Sequence, residues 1–258
     1  MNKIIGTGSY LPERIVSNEE LERTVDLSGY VGKNGEKYAQ WVERVMGFKF
    51  RHVADDKTTT SDMALHASNK ALTNAAISAD DLDLIIVVTS TPDKKTPNTA
   101  SILQSKLGQI EKSWAFDINA ACPGFIYGMS VADALMKANP AIRYTLVAAS
   151  EKMSSIIDRS NFITSPTFGD GAGAVIMAPS GDQSGIIEYY ARSNGRMGEL
   201  LDIPAGGSLL PITPENCRFI YDKKLNCLTV KTGELKCFAS EKIVESVKYV
   251  CRKHFNEP

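Results

Sequence analysis

The run LIIVV at positions 84–88 constrains the fold more than any other feature of the chain. Five consecutive aliphatic residues leave no side of the segment for water. A half-exposed strand alternates apolar and polar residues, and an amphipathic helix spaces its apolar positions three and four apart. A strand apolar on both faces belongs inside a sheet covered on both sides, the situation of parallel sheets flanked by helices. The neighbouring segments agree. KIIGTG (3–8), SWAFDINAA (113–121), RYTLVAASE (143–151) and GAGAVIMAP (171–179) read as further strands. Helical spacing separates them. SNEE (17–20) fits a capping box, and YAQWVERVMGF (38–48) continues helical after a loop at 27–37. In 58–77, Ala64, Ala67, Ala71, Leu72, Ala75 and Ala76 share one face, with Thr60 or Ser61 expected as the cap. A helix is expected over 98–107, ended by Gly108. Another follows Cys122, with Phe125, Met129, Ala132 and Met136 on one face. Strands alternating with helices predict an α/β layered fold. After Gly185 the texture changes. GIIEYYARSN (185–194) and NCLTVKTG (226–233) predict strands of a second unit, and a last helix is expected from about 234 to 254.

Composition narrows the function. The chain has 258 residues, 43% hydrophobic and 23% charged, with 29 basic against 30 acidic side chains. A net charge of −1 supplies no global basic field for nucleic acid. The start, MNKIIGTGSY, has no long apolar core of a secretory signal, and no apolar run reaches the length of a membrane span. A cytoplasmic protein without a membrane span is the expectation. The five cysteines are odd in number and none forms a C-x-x-C pair, which argues against a zinc site or a disulfide framework. Cys217, Cys227, Cys237 and Cys251 read as free structural cysteines of a reducing compartment. GDGAGA at 169–174 lacks phosphate-loop spacing and reads as a tight turn. GTGSYLP near the start lacks a third glycine for a dinucleotide site.

Cys122 stands apart. It lies where a strand ends and a helix begins, before Pro123, which fits the first helical position. Unpaired N–H groups at a helix start favour the thiolate, the reactive form of cysteine. Ala120, Ala121 and Gly124 keep the surroundings small, so that backbone or substrate can approach closely. Judged alone, a buried structural cysteine is the commoner use of such a residue.

Four stretches together change that weighing: GTGSYLPE (6–13), WVERVMGFKFRHVADD (41–56), DINAACPGF (117–125) and FGDGAGAVI (168–176). In order and approximate spacing they resemble the ketoacyl synthase III family of condensing enzymes. The resemblance implies a thiolase-like layered αβαβα fold of two similar halves. Residues 1–180 would be the N-terminal half carrying the nucleophile, and 181–258 the start of a C-terminal half incomplete in this chain. It implies that Cys122 takes an acyl group from acyl-CoA or a phosphopantetheinylated acyl-carrier protein and condenses it with malonyl-acyl-carrier protein. No tightly bound cofactor and no metal are implied. Trp41 matches a tryptophan that stacks on the adenine of coenzyme A, although a core anchor is an equal reading of that residue. The family's arginine in WxxxRTG is replaced: Val45 takes its place and Arg44 stands one position earlier. Arg159 resembles an arginine near the nucleotide, and Phe168 a residue lining the acyl tunnel. The family's decarboxylating histidine and asparagine, in HQAN-like and GNTS-like motifs, have no match. His52, His66 and His254 do not replace them. A fragment, a second chain supplying the remainder, or a degenerate paralogue would each explain this. A non-condensing acyl transferase and a non-catalytic partner of a full-length synthase are the competing functions. Acyl-carrier protein and a homodimeric or heterodimeric partner are the implied partners.

Overall fold

The computed structural model describes residues 1–109, 111–182 and 184–255. In chain order the elements are β1 (Asn2–Tyr10), β2 (Ile15–Ser17), α1 (Asn18–Glu22), α2 (Tyr38–Met46), β3 (Phe50–His52), α3 (Thr60–Ala75), β4 (Leu84–Val88) and α4 (Thr99–Lys106). There follow β5 (Trp114–Ile118), α5 (Gly124–Ala138), β6 (Thr145–Lys152), α6 (Thr164–Thr167), β7 (Asp170–Pro179), β8 (Leu201–Asp202), α7 (Cys217–Asp222), β9 (Thr229–Val230) and α8 (Thr232–Phe255). They divide into two compact units, each discontinuous in sequence. The first comprises 1–15, 52–153 and 169–189; the second comprises 16–51, 154–168 and 190–258.

The first unit is a five-stranded sheet of order β1-β7-β6-β4-β5. β6, β4 and β5 run parallel; β7 pairs antiparallel with β6, and β1 pairs antiparallel with β7. All five residues of β4 are buried, as the apolar run requires. Their side chains divide by the two-residue period of a strand. Ile85 and Val87 join Ala64, Ala67, Ala71, Ala100 and Leu103 of α3 and α4 on one face. Leu84, Ile86 and Val88 join Ala132 and Met136 of α5 on the other. The sheet therefore has helices on both faces.

Several local expectations shift by one residue. The cap of α3 is Thr59, not Thr60 or Ser61: its side chain accepts from the Asp62 N–H, and Asp62 answers by accepting from the Thr59 N–H at 2.9 Å. Thr60 is released to donate to the Thr91 carbonyl at 2.5 Å. The GDGAGA stretch is not a turn. Asp170 already begins β7, and Gly171 and Gly173 sit within the ladders to β1 and β6. Buried Asp170 accepts from the Ala54 N–H at 2.7 Å and so ties down the loop before α3.

In the second unit, α2 carries its apolar face on Tyr38, Ala39 and Val42 and ends at Gly47, whose φ of 79° is the left-handed cap that glycine adopts freely. Arg51 is buried and spans three acceptors: the Val16 carbonyl at 2.9 Å, Asn18 Oδ1 at 2.7 Å and the Pro166 carbonyl at 3.3 Å. The strand expected over 185–194 does not form, because that segment enters no ladder among the described residues. From 226–233 only Thr229–Val230 pairs, with Leu201–Asp202. The last helix, α8, is present and longer than expected, with none of its residues buried.

Candidate active site

The first unit presents Cys122. β4 and β5 end together, with Val88 in register with Ile118 and with Ala149 of β6, which continues to Lys152. Ligands in open α/β sheets bind beyond the carboxyl ends of parallel strands. Cys122 lies there, four residues after the end of β5, and is exposed.

The turn into α5 differs from expectation. The Gly124 N–H donates to the Ala121 carbonyl at 2.9 Å, closing a turn before the helix begins. Pro123, with φ −77°, is therefore the residue before the first helical one rather than the first itself. Cys122 precedes it, two residues ahead of a 15-residue helix. Ala121 has φ 49°, a left-handed conformation that costs a non-glycine residue about 1–2 kcal/mol. Such strain persists where both ends of a turn are held.

Gly124 has a different purpose from the open access expected of it. A Cβ there would stand 2.5 Å from Val88 Cγ1, and one at Gly128 would stand 2.8 Å from Val88 Cγ2. The two glycines, one turn apart, let α5 lie directly on β4. They serve helix–sheet packing and thereby set the depth at which Cys122 emerges.

Glu151, at the end of β6, was not foreseen. Its carboxylate accepts from the Ser90 N–H at 2.7 Å and from Thr91 Oγ1 at 2.6 Å. Ser90 Oγ donates to Asn119 Oδ1 at 3.1 Å. Ser90, Thr91 and Asn119 lie in strand-end loops, where no periodicity marks them, and Glu151 is the last residue but one of β6. A carboxylate in the otherwise small, uncharged VAAS–E run was the one available signal.

The second unit holds the other candidates. Trp41 stands on α2 among Tyr38, Tyr30 and Phe162, with ring centroids 5.9, 5.6 and 6.3 Å away. It is half-buried, so both readings of Trp41 keep a face. Tyr38 donates to the Phe162 carbonyl at 2.7 Å, and burial pushes its phenol above the usual range. Arg44 is held by Glu36 in a two-point pair, Nε–Oε1 at 2.7 Å and Nη2–Oε2 at 2.8 Å. That contact holds the Glu36 carboxyl below its ordinary value. The Glu36 carbonyl in turn accepts from Tyr30, which edges Trp41. Trp41 and Arg44 thus belong to one neighbourhood, and Val45 is exposed beside them. Arg159 lines a separate cleft of ≈ 600 Å³ with Thr24, Ser160, Lys224, Asn226 and Cys227. Burial pushes the Cys227 thiol up, and Asp158 adds to it. Phe168, half-buried, closes α6 through its N–H to the Thr164 carbonyl at 3.3 Å.

His52 Nδ1 lies 2.5 Å from the Pro12 carbonyl, His66 stacks on Tyr10 at 4.6 Å, and His254 stands on α8. Among the described residues no three metal-ligating side chains gather, and no helix is long and apolar enough to cross a membrane.

A profile of the family described as 3-Oxoacyl-[acyl-carrier-protein (ACP)] synthase III matches residues 116–195, from β5 through the Cys122 turn and past β7. A beta-ketoacyl-[acyl-carrier-protein] synthase III of Wolbachia pipientis wMel is 41% identical over 243 residues, which cover 92% of this chain and 73% of that one. The chain belongs to the ketoacyl synthase III family. A second relative of the same name, from Ehrlichia canis (strain Jake), is 43% identical over 204 residues, 79% of this chain and 60% of its own length. The crystal structure of 3-oxoacyl-[acyl-carrier-protein] synthase III from Aquifex aeolicus VF5 superposes with a TM-score of 0.77 at 35% identity, covering 98% of this chain and 70% of that one. The fold is accordingly α/β and thiolase-like, as the motifs implied, and the family is one of acyl-transferring condensing enzymes. These ketoacyl synthases extend beyond the matched part on a single polypeptide, so they give no support to a second chain supplying the remainder.

Proposed function

We propose that this chain forms the acyl-loading site of a beta-ketoacyl-acyl-carrier-protein synthase III. The Cys122 thiolate attacks the thioester carbonyl of an acyl donor. The donor's thiol leaves, and the acyl group stays on Cys122 as a new thioester. Condensation follows when malonyl-acyl-carrier protein loses carbon dioxide and its carbanion takes the acyl group, freeing the thiol. The observation that carries this reading is the exposed Cys122 at the carboxyl edge of parallel strands, in a chain 41% identical over 243 residues to a named synthase. Residues 1–180 would form the half that holds the nucleophile and 181–258 the start of the other. Phe168 would face the acyl chain, and Trp41 and Arg159 the nucleotide of the donor. The cytoplasm suits substrates of this kind. A homodimer or heterodimer would form along β5, the sheet edge that exposes Trp114.

One observation favours acyl-carrier protein over coenzyme A as donor. The Arg44 guanidinium is already neutralised by Glu36, and Val45 stands at the position of the family's arginine. This removes one cation from the nucleotide's surroundings.

Incubation with acyl-CoA or acyl-acyl-carrier protein should add one acyl mass to Cys122, and Cys122→Ser should abolish it. Limiting iodoacetamide should modify Cys122 before Cys227, whose thiol is pushed up by burial. A protein of these 258 residues should release little carbon dioxide from malonyl-acyl-carrier protein, since losing one donor to a developing charge commonly slows a reaction by about 100- to 1,000-fold. Adducts on other cysteines with Cys122 untouched would end the nucleophile reading.

A further inference from the structure

We infer that Ser90 and Asn119, steadied by Glu151, form a positioning relay that sets the turn presenting Cys122. The inference rests on Cys122 as the nucleophile and goes beyond it, because none of the three residues is assigned a role by that reading.

The argument starts from the end of the ladder. The Thr89 N–H still donates to the Ile118 carbonyl at 3.1 Å, and one residue later the backbones of β4 and β5 part. At that point a side-chain bond replaces the backbone one: Ser90 Oγ donates to Asn119 Oδ1 at 3.1 Å. Asn119 is the first residue after β5, two positions ahead of the Ala121–Gly124 turn that presents Cys122. Ser90 is fixed by Glu151, whose Oε1 accepts its N–H at 2.7 Å. Glu151 is itself oriented through its second oxygen, which accepts from Thr91 Oγ1 at 2.6 Å and Thr89 Oγ1 at 3.4 Å. Thr91 Oγ1 accepts from the Lys152 N–H at 2.8 Å, so the carboxylate and the next backbone unit of β6 grip one hydroxyl. The relay thus joins the ends of β6, β4 and β5 in that order.

The turn needs two anchors. Its far end is anchored by Gly124 and Gly128 against Val88. Between the ends lies Ala121 at φ 49°, a conformation that relaxes when either end is released. Release at Asn119 would let Ala121 return to negative φ and carry Cys122 with it. Asn119 is exposed, so its bond to Ser90 adds little to global stability, and its consequence is local. A reacting sulfur displaced by a fraction of an ångström loses rate rather than affinity.

The test uses the full chain with Ser90→Ala, Ser90→Thr, Asn119→Leu and Asn119→Asp. Acylation of Cys122 by acetyl-CoA is followed by intact mass over a range of concentrations, with the thermal midpoint of each variant. Ser90→Ala and Asn119→Leu should lower the limiting acylation rate by roughly tenfold while leaving the half-saturating concentration within about twofold. Ser90→Thr keeps the hydroxyl and should retain the parent's rate, whereas Asn119→Asp keeps the acceptor but adds a negative charge near the thiolate and should fall between the parent and Asn119→Leu. The Ser90→Ala, Asn119→Leu double variant should be no slower than the slower single one, as for two members of one relay. Variants that fold like the parent and acylate at its limiting rate would overturn the relay, as would a loss confined to the half-saturating concentration. If the parent takes an acetyl group neither from acetyl-CoA nor from acetyl-acyl-carrier protein, the nucleophile reading fails separately. The relay is then read from the iodoacetamide rate at Cys122 in the same proteins, where an unchanged rate overturns it.

Discussion

At the scale of single residues, the site is governed by what Gly124 lacks. Its missing side chain lets the first turn of α5 press on Val88, and its N–H closes the turn that holds Ala121 at positive φ. Gly124→Ala would place a methyl 2.5 Å from Val88 Cγ1. Overpacking of this kind costs about 1–3 kcal/mol. The helix start would also move outward and take Cys122 with it. The expected outcome is a lower urea midpoint together with slower alkylation of Cys122 than in the parent. A variant with parental stability and parental alkylation would show that α5 has room the geometry denies it. Cys122 and Cys237 are both exposed, so exposure alone does not distinguish them. Position does: Cys122 precedes a helix start, whereas Cys237 lies inside α8, where the neighbouring N–H groups have partners.

At the scale of elements, α3 shows how one terminus is tied to its surroundings. Thr59 and Asp62 close the capping box, and Lys106 at the end of α4 reaches Asp62 Oδ1 at 2.5 Å and Ser61 Oγ at 2.7 Å. Burial alone would raise the Asp62 carboxyl. The hydrogen bonds from Lys106 and from Thr59 outweigh it and hold the folded value down to about 2. A depressed carboxylate stabilises the folded chain fully above its unfolded pKa, near 4, and that stability is lost as pH falls toward about 2. Lys106→Met should therefore lower stability at neutral pH and flatten the fall between those two values. Urea midpoints at a series of pH values would check it. An acid limb of unchanged slope in the variant would show that Lys106 is not what holds Asp62 down. The far end of α3 is less favourable, since Ala76 caps it at φ 54° where glycine is the easier residue.

At the scale of the whole molecule, the sheet of the first unit has two edges, β1 and β5. An unpaired edge invites pairing unless it is blunted, and β5 exposes Trp114 at 55%. Light scattering at micromolar concentration should give twice the mass of one chain. Trp114→Lys should shift that equilibrium toward the single chain without changing the core helices or strands. A clean monomer for the parent would remove β5 as an assembly edge.

The sequence by itself settled what short-range chemistry can settle. The LIIVV run required a strand covered on both faces, and helical alanine spacing required α3 beside it. The order of four motifs was enough to place the chain in its family and to single out Cys122. Local boundaries were less legible, because Thr59, Thr60 and Ser61 can all cap a helix and only the bonds to Asp62 and Thr91 choose among them. Strand formation in 185–194 was not legible either: that segment has the composition of a strand, but a strand exists only where a partner supplies its hydrogen bonds. Tertiary structure alone decided the rest. It turned Gly124 from a feature of access into one of packing, paired Arg44 with Glu36, and brought Glu151, Ser90 and Asn119 together from three strand ends. The Ser90–Glu151 and Ser90–Asn119 contacts join residues 61 and 29 positions apart, and no local periodicity encodes them.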